Sequence, residues 1–292
     1  MNRGARGRLV GFAYLAPALI FVLAFTAYPL GQMAWMSLHN WSLLTPPRWV
    51  GLANYERAFG DTQFWVSFVF TLKYTALITP ILIIGGYLIG LLVARNDPLR
   101  RFTRTVVFIP VVIGLGVSSL LWYWLFSTNF GLINRLLMDL GLVDTPVLWL
   151  GVDADTSNWA IIASVVWKVM GFGMILFVGA IQAVPTDVSE AALVDGASYR
   201  QRVTRVIVPL TLRTVLLVTL VSVIGSLLAF DQFYIMTAGQ PQNETATSVF
   251  YVYLNSFPYL KLGYGAALSM ILAAFILLFT VVQLLATRRS HS

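Results

Sequence analysis

The chain has 292 residues, 58% of them hydrophobic and only 11% charged, with a formal net charge of +7. A chain this apolar is a polytopic membrane protein rather than a soluble domain. It has no cysteine, hence no disulfide or thiolate metal site. It also has no Walker A pattern, no HExxH and no paired carboxylates or metal-ligand cluster near a cavity, which argues against an enzyme.

A spanning helix needs about 20 mostly apolar residues, and six stretches qualify: roughly 9–36, 64–94, 105–127, 158–183, 214–237 and 263–287. They predict an all-α integral membrane protein, a single transmembrane domain over 1–292 with no soluble domain. The first span is expected to be separable from a core of the other five. It follows Arg3, Arg6 and Arg8 as a signal peptide would, but its apolar run is too long for a signal h-region of about 7–15 residues, so it reads as an uncleaved span. Gly85-Gly86 in the second span and Gly114 and Gly116 in the third are expected to allow close helix packing. Lys73 is expected to snorkel outward. Trp122-Tyr123-Trp124 reads as part of an aromatic belt, with a sugar-stacking face as the alternative. Lys168 in the middle of the fourth span and Asp231 near the outer end of the fifth place charge where burial in lipid is costly. Lys168 is therefore expected to face a watery cavity or a partner subunit, in either a structural or a solute-contacting role.

The basic residues set the orientation. With the N-terminus in the cytoplasm, Arg3, Arg6, Arg8, Arg95, Arg100, Arg101, Arg104, Arg200, Arg202, Arg205, Arg213, Arg288 and Arg289 lie inside. Arg48, Arg57, Arg135 and Lys261 lie outside, and Asp139, Asp144, Asp153 and Asp155 share one outer loop. This follows the positive-inside rule and places both termini in the cytoplasm of a multi-pass inner-membrane protein. Nucleic acid is not an expected partner, because the arginines sit at membrane edges and form no stripe on a soluble domain.

Between the fourth and fifth spans lies a polar loop, 184–213, whose residues Glu190–Pro209 read EAALVDGASYRQRVTRVIVP. Asp187 with Glu190 three residues on resembles a capping box, and Val188, Ala191, Ala192 and Asp195 share one helical face. Gly196 suits the left-handed turn that ends a helix. Ser198 with Gln201 is placed to cap a second helix. Tyr199, Val203 and Val206 then fall on one face, and Pro209 breaks that helix or kinks it into the next span. A helix–break–helix of this polarity is built to be held by something in water.

This loop, opening on Glu190-Ala191-Ala192 with Gly196 and Pro209 in register, resembles the EAA loop of permease subunits of binding-protein-dependent ABC importers. Further stretches resemble the carbohydrate-type branch, of the maltose and glycerol-3-phosphate kind. These are Trp49-Val50-Gly51-Leu52-Ala53-Asn54-Tyr55, Arg104 to Pro110, Val166-Trp167-Lys168, Phe230 to Thr237, and Gly263-Tyr264-Gly265-Ala266-Ala267. Thr237 to Pro241 departs from that branch's usual TGGGP, reading TAGQP. The resemblance implies a sugar, polyol or glycerol-phosphate-type solute and alternating access. Its implied partners are a second, usually different, permease chain, two ATPase subunits, a solute-binding protein and membrane lipid. ATP and Mg would sit on the ATPase, so this chain binds no cofactor. A self-contained secondary transporter is the rival, and it would need inverted repeats and a proton or sodium relay. In the family the loop docks on the ATPase, which assigns coupling to Glu190, Ala191, Ala192, Asp195, Gly196 and Pro209. Sugar contacts there come from the fourth and fifth spans. Counted from Pro209 and Glu190 these are Ser222, Gly225, Ser226 and Ala229, with Lys168 and Phe172, and Asp231 nearby.

Overall fold

The computed structural model describes residues 14–42 and 44–289. Residues 9–13 of the first predicted span, and Arg3, Arg6 and Arg8, lie outside them. Among the described residues, five helices are long and apolar enough to cross a membrane, and a bent pair counted as one span makes a sixth. In chain order the elements are α1 (Tyr14–Ser37), strands β1 (His39–Ser42) and β2 (Thr45–Trp49), α2 (Ala53–Gly60) and α3 (Thr62–Val93). Then come α4 (Pro98–Val112), α5 (Leu115–Leu125), α6 (Leu132–Asp139), α7 (Ala154–Gln182) and α8 (Thr186–Val194). The chain closes with α9 (Tyr199–Leu227), α10 (Asp231–Met236), α11 (Ser248–Ser256) and α12 (Leu262–Arg289).

Two of the predicted spans need correction. Residues 105–127 do not form one rod, because α4 and α5 meet at a bend of 100°. The fifth span does not begin at 214 or run unbroken to 237. Its helix starts inside the polar loop at Tyr199, ends at Leu227, and resumes as α10 after a break. The antiparallel hairpin β1–β2, pairing His39 with Trp49, was not expected in an all-α reading.

Proline shapes two of the long helices without breaking them. Pro29 and Pro209 each follow a single wide π-turn, Leu23–Ala27 and Val203–Ile207, in which the Tyr28 and Val208 N–H groups donate to the Leu23 and Val203 carbonyls. A proline lacks an N–H and its ring crowds the carbonyl four residues back, here Phe25 and Arg205. Widening the turn to an i−5 bond moves those carbonyls aside, so the helix continues.

The contacts divide the chain into two compact units. One comprises the described part of Met1–Thr62 together with Val252–Phe275. Here Gly51, at φ +59°, turns the chain into α2. Asn54 on α2 donates to the carbonyls of Ser37 and His39, both at 2.9 Å, and the Tyr55 hydroxyl meets the Ser37 hydroxyl at 2.7 Å. The Tyr264 hydroxyl donates to Asp61, and the Arg57 guanidinium lies 4.3 Å over the Tyr264 ring.

The other unit, Gln63–Tyr251 with Ile276–Ser292, holds the larger core. Tyr74, Ile78, Ile161, Met174, Phe177 and Phe233 are fully buried. Small residues bring backbones together there, since a Cβ on Gly86 would meet the Met174 nitrogen at 3.4 Å and one on Gly90 would meet Phe177 Cβ at 3.1 Å. Gly85-Gly86 therefore packs α3 on α7 as expected, whereas nothing approaches Gly114, and Gly116 meets only Ile235 at 3.7 Å. At the crossing of α4 and α7, a Cβ on Gly171 would overlap the Val107 carbonyl oxygen. Trp122 packs against Phe126 and Trp167, with ring centroids 5.3 and 5.7 Å away, while Tyr123 and Trp124 are exposed.

Gly171→Ala should therefore destabilise the fold by about 1–3 kcal/mol through overpacking. Gly179→Ala, which meets nothing within 4 Å, should be neutral to within about 0.5 kcal/mol. Thermal melting of the two variants in detergent checks the difference.

Candidate functional site

A helix that stops inside an apolar protein leaves its last carbonyls without partners, and lipid offers none. The third span stops at Val112 because Ile113 and Gly114 are extended. The Lys168 ammonium on α7 donates to the Val111 carbonyl at 3.0 Å. The fifth span stops at Leu227, and the Thr247 hydroxyl donates to the Ala229 carbonyl at 2.7 Å. Thr247 is itself fixed beside Ser248, whose backbone N–H donates to the Thr71 hydroxyl on α3 at 2.8 Å. Beyond the break, Phe233 of α10 is fully buried edge-on to Tyr74, centroids 4.9 Å apart.

Between the two breaks lies a cavity of about 210 Å³. Of the residues assigned to a substrate pathway, Phe172, Ser222, Gly225, Ser226, Ala229 and Asp231 line it, from α7, α9 and the break itself. Lys168 does not; its charge is engaged by the Val111 carbonyl. Tyr74 on α3, Leu115 at the start of α5, and Phe230 and Gln232 at the break complete the walls without having been singled out in the sequence. The Gln232 amide N–H donates to the Tyr74 hydroxyl at 3.4 Å, and the Ser226 hydroxyl donates to the Val223 carbonyl at 2.9 Å. The walls are mostly apolar with a few convergent polar groups, as small-ligand sites usually are.

The polar loop is the second feature. Helix α8 ends in a full Schellman motif: the Gly196 N–H donates to the Leu193 carbonyl at 3.0 Å and the Ala197 N–H to the Ala192 carbonyl at 2.9 Å. This requires a left-handed residue at Gly196, which has φ +77°. The Ser198–Gln201 capping box forms, with both reciprocal bonds present. The Asp187–Glu190 box does not, because the N-cap position is Pro185, which has no side-chain acceptor. Glu190, Ala191, Asp195 and Pro209 are exposed and Ala192 is half-buried. Four larger apolar residues of the loop, Val188, Leu193, Val194 and Tyr199, also face outward.

One helix connects the two features. Starting at Tyr199 in the loop and ending at Leu227 beside the cavity, α9 covers about 43 Å at 1.5 Å per residue. At the loop end, Arg104 on α4 donates to the carbonyls of Val93, Ala94 and Arg95 at 2.7, 2.9 and 2.7 Å. Gln182, the last residue of α7, donates to the same Ala94 carbonyl at 2.7 Å. The ends of α3, α4 and α7 are thereby tied together just before the loop begins. Asp97 caps α4; the Arg100 N–H bond and the Arg100 charge hold its carboxyl below the usual range. That cap is in place at neutral pH and is lost as pH falls through the lowered value.

Residues 83–291 match the family of binding-protein-dependent transport system inner membrane components. The trehalose/maltose transport system permease protein MalF of Thermococcus litoralis is 33% identical over 277 residues, covering 94% of this chain and 92% of that protein. The trehalose transport system permease protein SugA of Mycobacterium tuberculosis is 31% identical over 268 residues, covering 91% and 84%. The fold is that of a chain of a bacterial alginate ABC transporter crystallised with an alginate-bound periplasmic protein, with a TM-score of 0.84, 21% identity, and coverage of 98% and 96%.

Removing the Lys168 donor leaves the half-buried Val111 carbonyl unpaired. Lys168→Met should cost about 1.5–3 kcal/mol, and Lys168→Arg, which keeps a donor and the charge, should cost less. Melting temperatures of the two variants order the effects.

Proposed function

The chain belongs to the family of inner membrane components of binding-protein-dependent transport systems; it is a permease subunit of an ABC importer and not an enzyme, and we propose that its solute is a saccharide or a related polyol. The observation that carries the saccharide reading is the pair of trehalose and maltose permeases aligned over nearly the whole chain. The mixed apolar and hydroxyl walls of the cavity agree with it. The partners in this proposal are a second permease chain, usually a different one in this branch, two ATPase subunits that carry ATP and Mg, and an extracytoplasmic solute-binding protein. The proposal puts both termini and the 184–213 loop in the cytoplasm, the side that the positive-inside rule favours for the arginines.

In the proposed cycle, the loop is the handle on which the ATPase pulls. Its outward-facing Val188, Leu193, Val194 and Tyr199 are apolar residues in a polar segment, the signature of a docking surface. Closure of the ATPase pair displaces this surface, and α9 carries the displacement as a rod to the break at 228–230. There the cavity opens to receive solute from the binding protein. ATP state and cavity state then bias one equilibrium between two conformations. Phe172 supplies a flat apolar face for a sugar ring, and Ser222 and Ser226, one turn apart on α9, supply hydroxyls.

Two outcomes are expected in a reconstituted importer with its binding protein. Gly196→Val strains the left-handed turn, and Glu190→Lys reverses a charge on the dock. Both should leave membrane insertion intact and abolish solute-stimulated ATP hydrolysis, and wild-type stimulation in both would refute the coupling role. Ser226→Leu should fill the cavity and stop uptake while basal ATP hydrolysis persists. Normal uptake of every solute that the binding protein accepts would remove this face of α9 from the pathway.

A further inference from the structure

The cavity walls carry a sign of charge, and this narrows the class of solute beyond the saccharide reading on which it rests. Asp231 is the one charged side chain among the described lining residues. Its carboxylate, half-buried at the break between α9 and α10, has no hydrogen-bond or ion-pair partner among the described residues. Of the cations that adjoin lining residues in sequence, Lys168 stands beside Val169. That ammonium is spent on the Val111 carbonyl and is not part of the lining. Lys73, on the same helix as Tyr74, is exposed and also outside the lining.

The remaining polar groups of the lining are neutral. One Gln232 amide N–H is given to the Tyr74 hydroxyl, which leaves the Gln232 carbonyl oxygen as an acceptor and the second amide N–H and the Tyr74 O–H as neutral donors. The Ser226 hydroxyl proton is given to the Val223 carbonyl, which leaves the oxygen lone pairs. The walls therefore offer one carboxylate beside neutral hydroxyl and amide groups, and no charged donor among the described lining residues, to a solute that brings O–H groups.

We propose that this cavity selects an uncharged, hydroxyl-rich saccharide over phosphorylated or carboxylated ones, and that Asp231 is the residue that sets the preference. A neutral sugar presents two neighbouring hydroxyls to the carboxylate and makes charge-assisted hydrogen bonds. A phosphate or uronate brings a second negative charge into an apolar cavity that has no cation among its described lining residues. At about 6 Å and an effective dielectric of about 20, that repulsion corresponds to a discrimination on the order of 100-fold.

The test uses the complete importer in proteoliposomes, with its binding protein. A neutral saccharide that it carries is compared with the uronate made by oxidising the same sugar's primary hydroxyl. Each is supplied at a concentration shown directly to saturate the binding protein. Wild type should carry the uronate on the order of 100-fold more slowly than the neutral sugar. Asp231→Asn should slow neutral uptake by roughly 10-fold or more, from loss of a charged acceptor, and raise the uronate-to-neutral ratio at least about 10-fold. Asp231→Glu, which keeps the charge, should keep wild-type selectivity, and co-purification of the ATPase subunits shows that each variant assembles. Equal wild-type uptake of both sugars, or a ratio that does not move in Asp231→Asn, overturns the proposal. Failure of wild type to carry any saccharide, whatever stands at 231, overturns the saccharide reading itself and this inference with it.

Discussion

The need to satisfy backbone carbonyls where helices stop inside an apolar protein governs this structure. A continuous span meets the need by itself, because every internal bond is made within the helix. Two of the spans are not continuous, and each gap is closed by a side chain from elsewhere: Lys168 for Val111 and Thr247 for Ala229. An ammonium in the middle of a span is costly when it has nothing to do. Here it serves a helix C-terminus, where both the free carbonyl and the helix dipole favour a cation.

The cavity is a consequence of those gaps. Had the third and fifth spans run straight, Leu115, Phe230, Asp231 and Gln232 would not converge on the face of α9 that carries Ser222 and Ser226. The breaks depend in turn on tight packing around them. Gly86, Gly90 and Gly171 let α7 sit against α3 and α4 at backbone distance, and Phe233 seats α10 against Tyr74. At the other end, Arg104 and Gln182 bind the carbonyls that close α3. A rigid support at one end and a broken helix at the other leave α9 as the element that joins the loop to the cavity.

The π-turns show how the same sequence element acts differently in different settings. Pro209 is a candidate stop or kink, and the helix does not stop there because the turn before it widens. The length of α9 follows from this. A true stop at Pro209 would have separated the loop from the span, and no single helix would reach from one to the other.

The sequence by itself determined what local rules control. Apolar runs of sufficient length pointed to the spans and arginine placement to an orientation; the left-handed requirement at Gly196 and the Ser198–Gln201 pair pointed to the helix–turn–helix of the loop, and these last two are matched in the structure by their own short-range bonds. The family resemblance, counted in register from Pro209 and Glu190, pointed to Phe172, Ser222, Gly225 and Ser226, which line one cavity. What the sequence did not contain was the break at 228–230. Leu227-Leu228-Ala229-Phe230 holds no glycine or proline, and nothing in that run forbids a helix. The break exists because Thr247 and Tyr74, distant in sequence, satisfy and seat the interrupted chain. The role of Lys168 was decided in the same way, since the carbonyl it binds becomes free only when α4 ends and is brought to it only by the crossing at Gly171.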